Sequence, residues 1–357
     1  MSGQFLALPL ALLLTVVLVR LLFQPAIRMG LIDHPGGRRQ HSHPTPLIGG
    51  VCIGLTLLLV QLLLPQHAPQ HGGLWLAALL LTLASGVLDD YREQSWRIKF
   101  GGQFLIAGLI ALGSGLHVTH LGNLLGLGEI GMPSMIAPVF TIVAIVGLIN
   151  AVNMVDGVDG LLGSILLPPL GCFLLLSLQS ADAASSLELM ALIGAIMGFF
   201  VFNLRHPFRQ RACIFMGDAG SLLLGWVLAV MAIRHGGSEQ ALVRPITVVW
   251  LVAYPLLEVG SMMLLRIRQG VSPFHADRQH WHYVLLDAGY SVNQVVCLCF
   301  LVSMGLGLVG LSAEYLHLPE VVMFAGFILL WLLNLYGLKR PQKLTVWLLR
   351  HLPPHPH

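Results

Sequence analysis

Long apolar runs separated by short polar stretches dominate this chain, and eleven windows stand out. They are Leu6–Phe23, Leu47–Leu64, Leu74–Leu88, Gly101–Leu116, Met135–Val152, Leu161–Leu178, Leu187–Leu204, Ala219–Ile233, Pro245–Leu265, Val292–Ser312 and Val321–Leu338. A helix needs roughly 20 residues to cross about 30 Å of hydrocarbon, and most windows approach that length. The third and eighth stop near 15 residues and must continue into their polar flanks, which bring in Asp89 and Asp218. Backbone groups in lipid are satisfied only in helices or closed barrels, and runs this continuous predict helices. The expected fold is an all-α polytopic membrane bundle of about eleven spans, with residues 1–338 as one transmembrane catalytic domain and 339–357 as a basic tail.

Composition agrees. With 56% hydrophobic and 10% charged residues and a mean hydropathy of +0.81, the 357-residue chain cannot cover itself with polar surface as a soluble globule. The N-terminus lacks a basic leader and a small-residue cleavage site, so Leu6–Phe23 reads as a retained first span. Sorting Lys and Arg onto alternate sides of eleven spans places all nineteen on one side except Arg234 and Arg244. That side is cytoplasmic by the positive-inside rule, so the N-terminus faces the periplasm and the C-terminus the cytoplasm. Cys52, Cys172, Cys213, Cys297 and Cys299 form no CxxC pair and read as reduced core residues.

Five cytoplasmic loops have distinctive polar content: Pro25–Pro46, Asp89–Phe100, Asn153–Gly160, Arg205–Asp218 and Arg266–Ser291. The stretch Asn150–Gly163, NAVNMVDGVDGLLG, sets Asn153, Asp156 and Asp159 among glycines between two apolar runs. Asp156 and Asp159 would share one side of a helical turn. Asp89 and Asp90, in LDDYREQSWRIKF, are adjacent, so on a helix they point about 100° apart and need different partners. They could equally be an interfacial acid pair balanced by Arg92 and Lys99.

Asp218, in FMGDAGS, precedes the eighth run, where it could be a helix N-cap or could hold Mg²⁺ against a phosphate at a helix N-terminus. Phe215 beside it could stack on a base or anchor at the interface. The loop SPFHADRQHWHYVLLDAG carries Arg278, His280 and His282, suited to donating hydrogen bonds to phosphate, with a solvated basic loop as the alternative. A helical i, i+2 histidine pair does not converge, which argues against zinc. Glu258 lies inside the ninth run, where it must be protonated, paired or turned toward the polar site. No Walker P-loop or GxGxxG is present, and nothing points to a nucleic-acid partner. The residues themselves read as a magnesium diphosphate site with a basic rim.

Four ordered motifs, LDDYREQSWRIKF, NAVNMVDGVDGLLG, FMGDAGSLLLGW and SPFHADRQHWHYVLLDAG, resemble those of the polyprenyl-phosphate N-acetylhexosamine-1-phosphate transferases, glycosyltransferase family 4. The resemblance covers nearly the whole chain and is strongest to the branch that joins UDP-GlcNAc to undecaprenyl phosphate. It implies transfer of a sugar-1-phosphate onto that lipid with release of UMP, a requirement for Mg²⁺ with Mn²⁺ as a substitute, and a place at the start of O-antigen or enterobacterial common antigen synthesis. It further implies Asp89 and Asp90 near the lipid phosphate, Asp218 as metal ligand, and Asn153, Asp156, Asp159, Phe215 and Lys99 toward the nucleotide sugar. His280, His282 and Arg278 fall in the family's histidine motif, where relatives carry a further histidine in place of Tyr283. A homodimer is a further expectation. Rival readings are the same reaction on UDP-MurNAc-pentapeptide or another UDP-hexosamine, and an ion-coupled transporter.

Overall fold

The computed structural model describes residues 4–34, 43–65, 72–273, 279–343 and 345–346. Every apolar window is helical: α1 (Ala7–Met29), α2 (Gly49–Leu63), α3 (Gly72–Tyr91), α4 (Trp96–Ser114), α5 (Ala137–Val155), α6 (Leu161–Gln179), α7 (Ala183–Asn203), α8 (Gly217–Gly236), the pair α9 (Pro245–Leu251) and α10 (Ala253–Arg268), then, after a short α11 (Trp281–Asp287), α12 (Val292–Tyr315) and α13 (Glu320–Leu338). Eight described helices are long and apolar enough to cross a membrane, nine if α9 and α10 form one broken span. The protein is therefore a polytopic helical membrane protein. Helices α3 and α8 each reach 20 residues by taking in Asp89 to Tyr91 and Gly217–Asp218.

The ninth window is not one straight helix. It bends by 80° at Val252. Pro255 accounts for the break: it has no N–H to offer the carbonyl of Leu251, and its ring would crowd that carbonyl in a continuous helix.

The chain divides into two compact units. The first comprises Met1–Thr119, Met132–Asn153 and Leu170–Leu242. Its centre is α8, whose apolar stretch is 89% buried. Close helix contact there depends on small residues, as expected where lipid offers no hydrophobic drive to association. A side chain at Gly194 or Gly198 of α7 would run into the carbonyls of Leu8 and Leu12 of α1. Likewise Gly50 of α2 and Gly86 of α3 leave no room for a Cβ against the backbone of Ala219 and Gly220. A two-residue ladder, β1 (Ile32–Asp33) with β2 (Thr45–Pro46), continues into Phe215 N–H to Pro46 O (2.9 Å) and Gly49 N–H to Phe215 O (2.9 Å). This threads the first polar loop onto the segment leading into α8.

The second unit comprises His120–Gly131, Met154–Pro169 and Val243–His357. Within it α9 packs on α12 and α10 on α13. The Gly-rich stretch 120–131 is a small hairpin, closed by the His120–Gly131 bridge and by Leu121 N–H to Ile130 O at 2.8 Å. All five cysteines are free, with Cys297 exposed rather than in the core.

Candidate active site

In the first unit, the end of α3, the start of α4, the end of α5 and the start of α8 bring Asp89, Asp90, Lys99, Asn153 and Asp218 into one cluster. Asp89 and Asp90 occupy the last turn of α3 and, as their angular offset requires, face different partners. Lys99 Nζ is 2.5 Å from Asp89 Oδ2 and 3.7 Å from Asp218 Oδ2. The Gln94 N–H donates to Asp89 Oδ1 at 2.8 Å. Asp89 is thus fully engaged, its side chain only 4% exposed, whereas that of Asp218 is 35% exposed.

Asp90 turns to the backbone of α8. Its Oδ1 accepts the Asp218 N–H (2.7 Å) and its Oδ2 the Ala219 N–H (3.0 Å). Helix α8 begins at Gly217 after Met216, so Asp218 lies in its first turn and is not the N-cap. The cap comes instead from α3, through the carboxylate of Asp90. Gly217 permits this: it takes φ +72°, and a Cβ there would press on Asp90 Oδ2. A carboxylate at a helix N-terminus satisfies orphan N–H groups and sits favourably in the helix dipole.

Asn153 donates from Nδ2 to Asp218 Oδ1 (2.9 Å) and to Ser221 Oγ (2.7 Å). One helical turn earlier Asn150 and Gln103 form a reciprocal amide pair between α5 and α4, with Asn150 Nδ2 2.5 Å from Gln103 Oε1. Gln94, Gln103 and Ser221 were not singled out from sequence. Gln103 alone carried a signal, as a polar residue inside an apolar run.

Two carboxylates, those of Asp89 and Asp218, thus face the one ammonium of Lys99. Burial lowers the affinity of Lys99 for its proton, but the Asp89 hydrogen bond and the fields of Asp218 and Asp89 raise it by more, so its pKa moves upward. Lys99 stands ahead of the apolar run that begins at Gly101. Among the described residues no three His, Cys, Asp or Glu side chains converge as a ready metal cage. Phe215 is half-buried, its backbone held between Pro46 and Gly49.

In the second unit, Asp156 and Asp159 do not share a helical turn. They lie in the non-helical break between α5 and α6, where Gly160 takes φ +78°. Helix α5 ends at Val155, ahead of both aspartates, and helix resumes only at Leu161, after the left-handed Gly160.

His280 and His282 are both buried, at 4% and 0% exposure, which removes the solvated-loop reading for these two residues. His280 precedes α11 in an extended conformation, so the i, i+2 rule for helices does not apply, and the two rings stack with centroids 5.4 Å apart. Tyr283 packs on His282 at 4.2 Å. A Cβ at Gly157 would strike His282 Nε2, so this glycine is what allows the Asp156–Gly160 turn to lie against that ring. Arg278 lies outside the described residues.

Residues 73–236 match the family described as Glycosyl transferase family 4. That match contains the acidic cluster and the Asp156–Asp159 turn and ends before the histidines. Over 330 residues the chain is 37% identical to the undecaprenyl-phosphate alpha-N-acetylglucosaminyl 1-phosphate transferase of Pasteurella multocida (strain Pm70), covering 91% of this chain and 90% of the relative. It is 34% identical to the same-named protein of Yersinia pestis over 328 residues (91% and 88%), and 34% identical to that of Haemophilus influenzae over 333 residues (90% of each). The chain belongs to glycosyl transferase family 4, whose motifs its own four resemble, and it is a membrane phosphoglycosyltransferase.

Proposed function

We propose that this protein transfers GlcNAc-1-phosphate from UDP-GlcNAc to undecaprenyl phosphate, releasing UMP, as the first membrane step of an O-antigen or enterobacterial common antigen type of glycan. The observation that carries the reading is the Asp89, Lys99, Asp218 and Asn153 cluster: a net-negative, partly open group of hard oxygen donors on the ends of apolar helices. On this reading the chain makes eleven spans, with its N-terminus in the periplasm and its site on the cytoplasmic face of the inner membrane, where a soluble nucleotide and a lipid phosphate can both reach it.

The donor set suits Mg²⁺, which takes one or two carboxylates and completes its shell with phosphate oxygens and water. Asp218 would hold the ion, and when bound it supplies charge neutralisation at the diphosphate. Mn²⁺ accepts the same ligands. Asn153 orients the Asp218 carboxylate, and Asp90 fixes the backbone that carries it. The lipid phosphate has a second pKa of about 6 and is mostly ionised at neutral pH, so no strong base is required. One of its oxygens attacks the β-phosphorus of UDP-GlcNAc, the bond from that phosphorus to the bridging oxygen breaks, and UMP leaves with the electron pair.

Lys99, held between Asp89 and Asp218, would receive phosphate charge, while His280, His282 and Arg278 of the histidine motif are assigned to the substrate's phosphates. Asp156, Asp159 and Phe215 are assigned to the nucleotide, with Phe215 as the uracil stacker. Positioning and electrostatics then supply most of the rate.

The test is purified protein with polyprenyl phosphate, Mg²⁺ and a panel of labelled UDP-sugars, scored for lipid-linked product and UMP. UDP-GlcNAc should be the best donor. Preference for UDP-MurNAc-pentapeptide would move the chain to the other substrate class, and substrate flux without UMP would overturn the reading in favour of a transporter.

A further inference from the structure

Glu258 sits within α10, inside the ninth apolar run, and is 1% exposed. A carboxylate in such a place is expensive unless its surroundings use its charge. Its Oε1 accepts the backbone N–H of Trp281 at 2.8 Å and lies 3.4 Å from His280 Nδ1 and 4.0 Å from His282 Nδ1. Its Oε2 has no hydrogen-bond donor among the described residues. One carboxylate therefore stands behind both histidines of the motif, on the Nδ1 side of each ring.

The turn is also held from a second direction. Trp281 Nε1 donates to Asn334 Oδ1 (2.5 Å), and Asn334 Nδ2 donates to Leu257 O and Ser261 Oγ, both at 2.9 Å. The indole packs against Met262, Leu265, Leu335 and Leu338. The backbone at Trp281 is thus fixed by α10 and α13 together, and Glu258 is not needed merely to close the turn. What it adds is negative charge at two Nδ1 atoms.

An imidazole with a carboxylate on its Nδ1 side keeps the proton there and turns Nε2 to the opposite side, and such a partner both orients a histidine and sets which nitrogen is free to act. The Nε2 edge of His282 faces the Asp156–Gly160 turn, through Gly157.

We propose that Glu258 is the positioning residue of the histidine motif: its charge keeps His280 and His282 protonated at Nδ1 and so presents the Nε2 edge of His282 to the Asp156–Gly160 turn. That this turn serves the nucleotide sugar rests on the function proposed above; the placement of the protons does not.

The test uses Glu258→Gln, which keeps an acceptor for the Trp281 N–H and removes the charge, and Glu258→Asp, which keeps the charge on a shorter stem. Loss of such an outer partner typically costs about 10–100-fold, so kcat for UMP release should fall by that order in Glu258→Gln. KM for the UDP-sugar and the melting temperature should stay near wild type, with Glu258→Asp recovering part of the rate. In the His280→Ala, His282→Ala double variant the Gln substitution should add no more than about twofold, because the residues act as a unit. An unchanged kcat, or the full loss repeated without the histidines, would overturn the proposal.

Should wild type turn over no UDP-sugar, the function reading fails, and the positioning role is still read directly. ¹⁵N-histidine NMR of the full chain, assigned by difference with the single histidine variants, should show Nδ1–H at both rings. That pattern should be lost in Glu258→Gln, and its persistence would sink the proposal. If Glu258→Gln does not fold, Glu258→Asp in the same two measurements decides.

Discussion

Asp90 holds Asp218 by its backbone. The two residues are 128 positions apart, and the bond from the Asp218 N–H to Asp90 Oδ1, 2.7 Å, is half of a fork completed by Ala219. The first turn of α8 therefore sits where α3 puts it, and the Asp218 side chain is left to face Lys99 and Asn153. Two adjacent aspartates in one motif do different work: Asp89 balances a lysine, while Asp90 builds the platform for the third carboxylate.

Replacing Asp90 separates capping from charge. Asp90→Ala leaves two N–H groups of a buried helix start without acceptors and should destabilise by about 1–3 kcal/mol. Asp90→Asn keeps one acceptor oxygen and should lose less stability, while still lowering turnover because Ala219 or Asp218 then meets an amide NH₂. Melting temperature and UMP release on the same preparations check this order. Equal stability of Asp90→Ala and wild type would show that the cap contributes nothing.

Lys99→Met tests the ion pair. Asp89 is nearly enclosed, so removing its partner strands a carboxylate, at a cost of about 1–3 kcal/mol once the partial exposure of Lys99 is allowed for. The sign with pH follows from the upward displacement of the Lys99 pKa. A group whose pKa is raised by folding stabilises fully below its unfolded value, about 10.4 for lysine, and loses that contribution as pH rises through the folded value. The stability gap between wild type and Lys99→Met should accordingly be constant up to about pH 10 and shrink above it. A gap that widens toward alkaline pH would contradict the pairing.

Much of this arrangement could be read from the chain, and the failures have physical causes. Each apolar window became helix because a lipid-facing backbone has no other way to satisfy its polar groups within one segment. The 100° offset of adjacent helical residues foretold that Asp89 and Asp90 would part company. The bend at Val252 was hidden because hydropathy does not fall across Pro255, although the missing N–H was visible as a letter. The shared face expected for Asp156 and Asp159 assumed helical backbone, but α5 ends at Val155, before either of them, and helix resumes only at Leu161. The capping of α8 by Asp90 could not be seen at all, since nothing local to Asp218 marks a partner in α3. Glu258 was legible as a misfit charge, but its histidines were not.

Gly157→Ala should be far more damaging than its exposed position suggests. The new methyl group would meet His282 Nε2, and the ring cannot retreat easily because it is fully buried and stacked on His280. Displacement of catalytic groups by about 1 Å can cost on the order of 100-fold, so turnover should fall by about 10-fold or more, with about 1–3 kcal/mol of stability lost to the overpacking. Full activity in Gly157→Ala would mean that the contact between the turn and His282 is not maintained in the working enzyme.

The pair Asn153 and Asp218 gives the most direct test of the metal. Asp218 has the exposed carboxylate of the cluster, and Asn153 pins one of its oxygens from behind, so the two should fail in different ways. On the proposed function Asp218→Asn removes the anionic ligand for Mg²⁺ and should abolish Mg²⁺-dependent UMP release while leaving the protein folded and inserted. Asn153→Ala leaves the ligand in place but free to rotate. Its activity should return toward wild type as Mg²⁺ is raised, with the half-saturating concentration shifted by about 10-fold or more, the usual scale for a lost outer partner. Titrating Mg²⁺ against UMP release for both variants separates the outcomes. Turnover of Asp218→Asn at saturating Mg²⁺ would remove Asp218 from the metal site, and an unshifted midpoint in Asn153→Ala would show that the Asn153 hydrogen bond does not act through the ion.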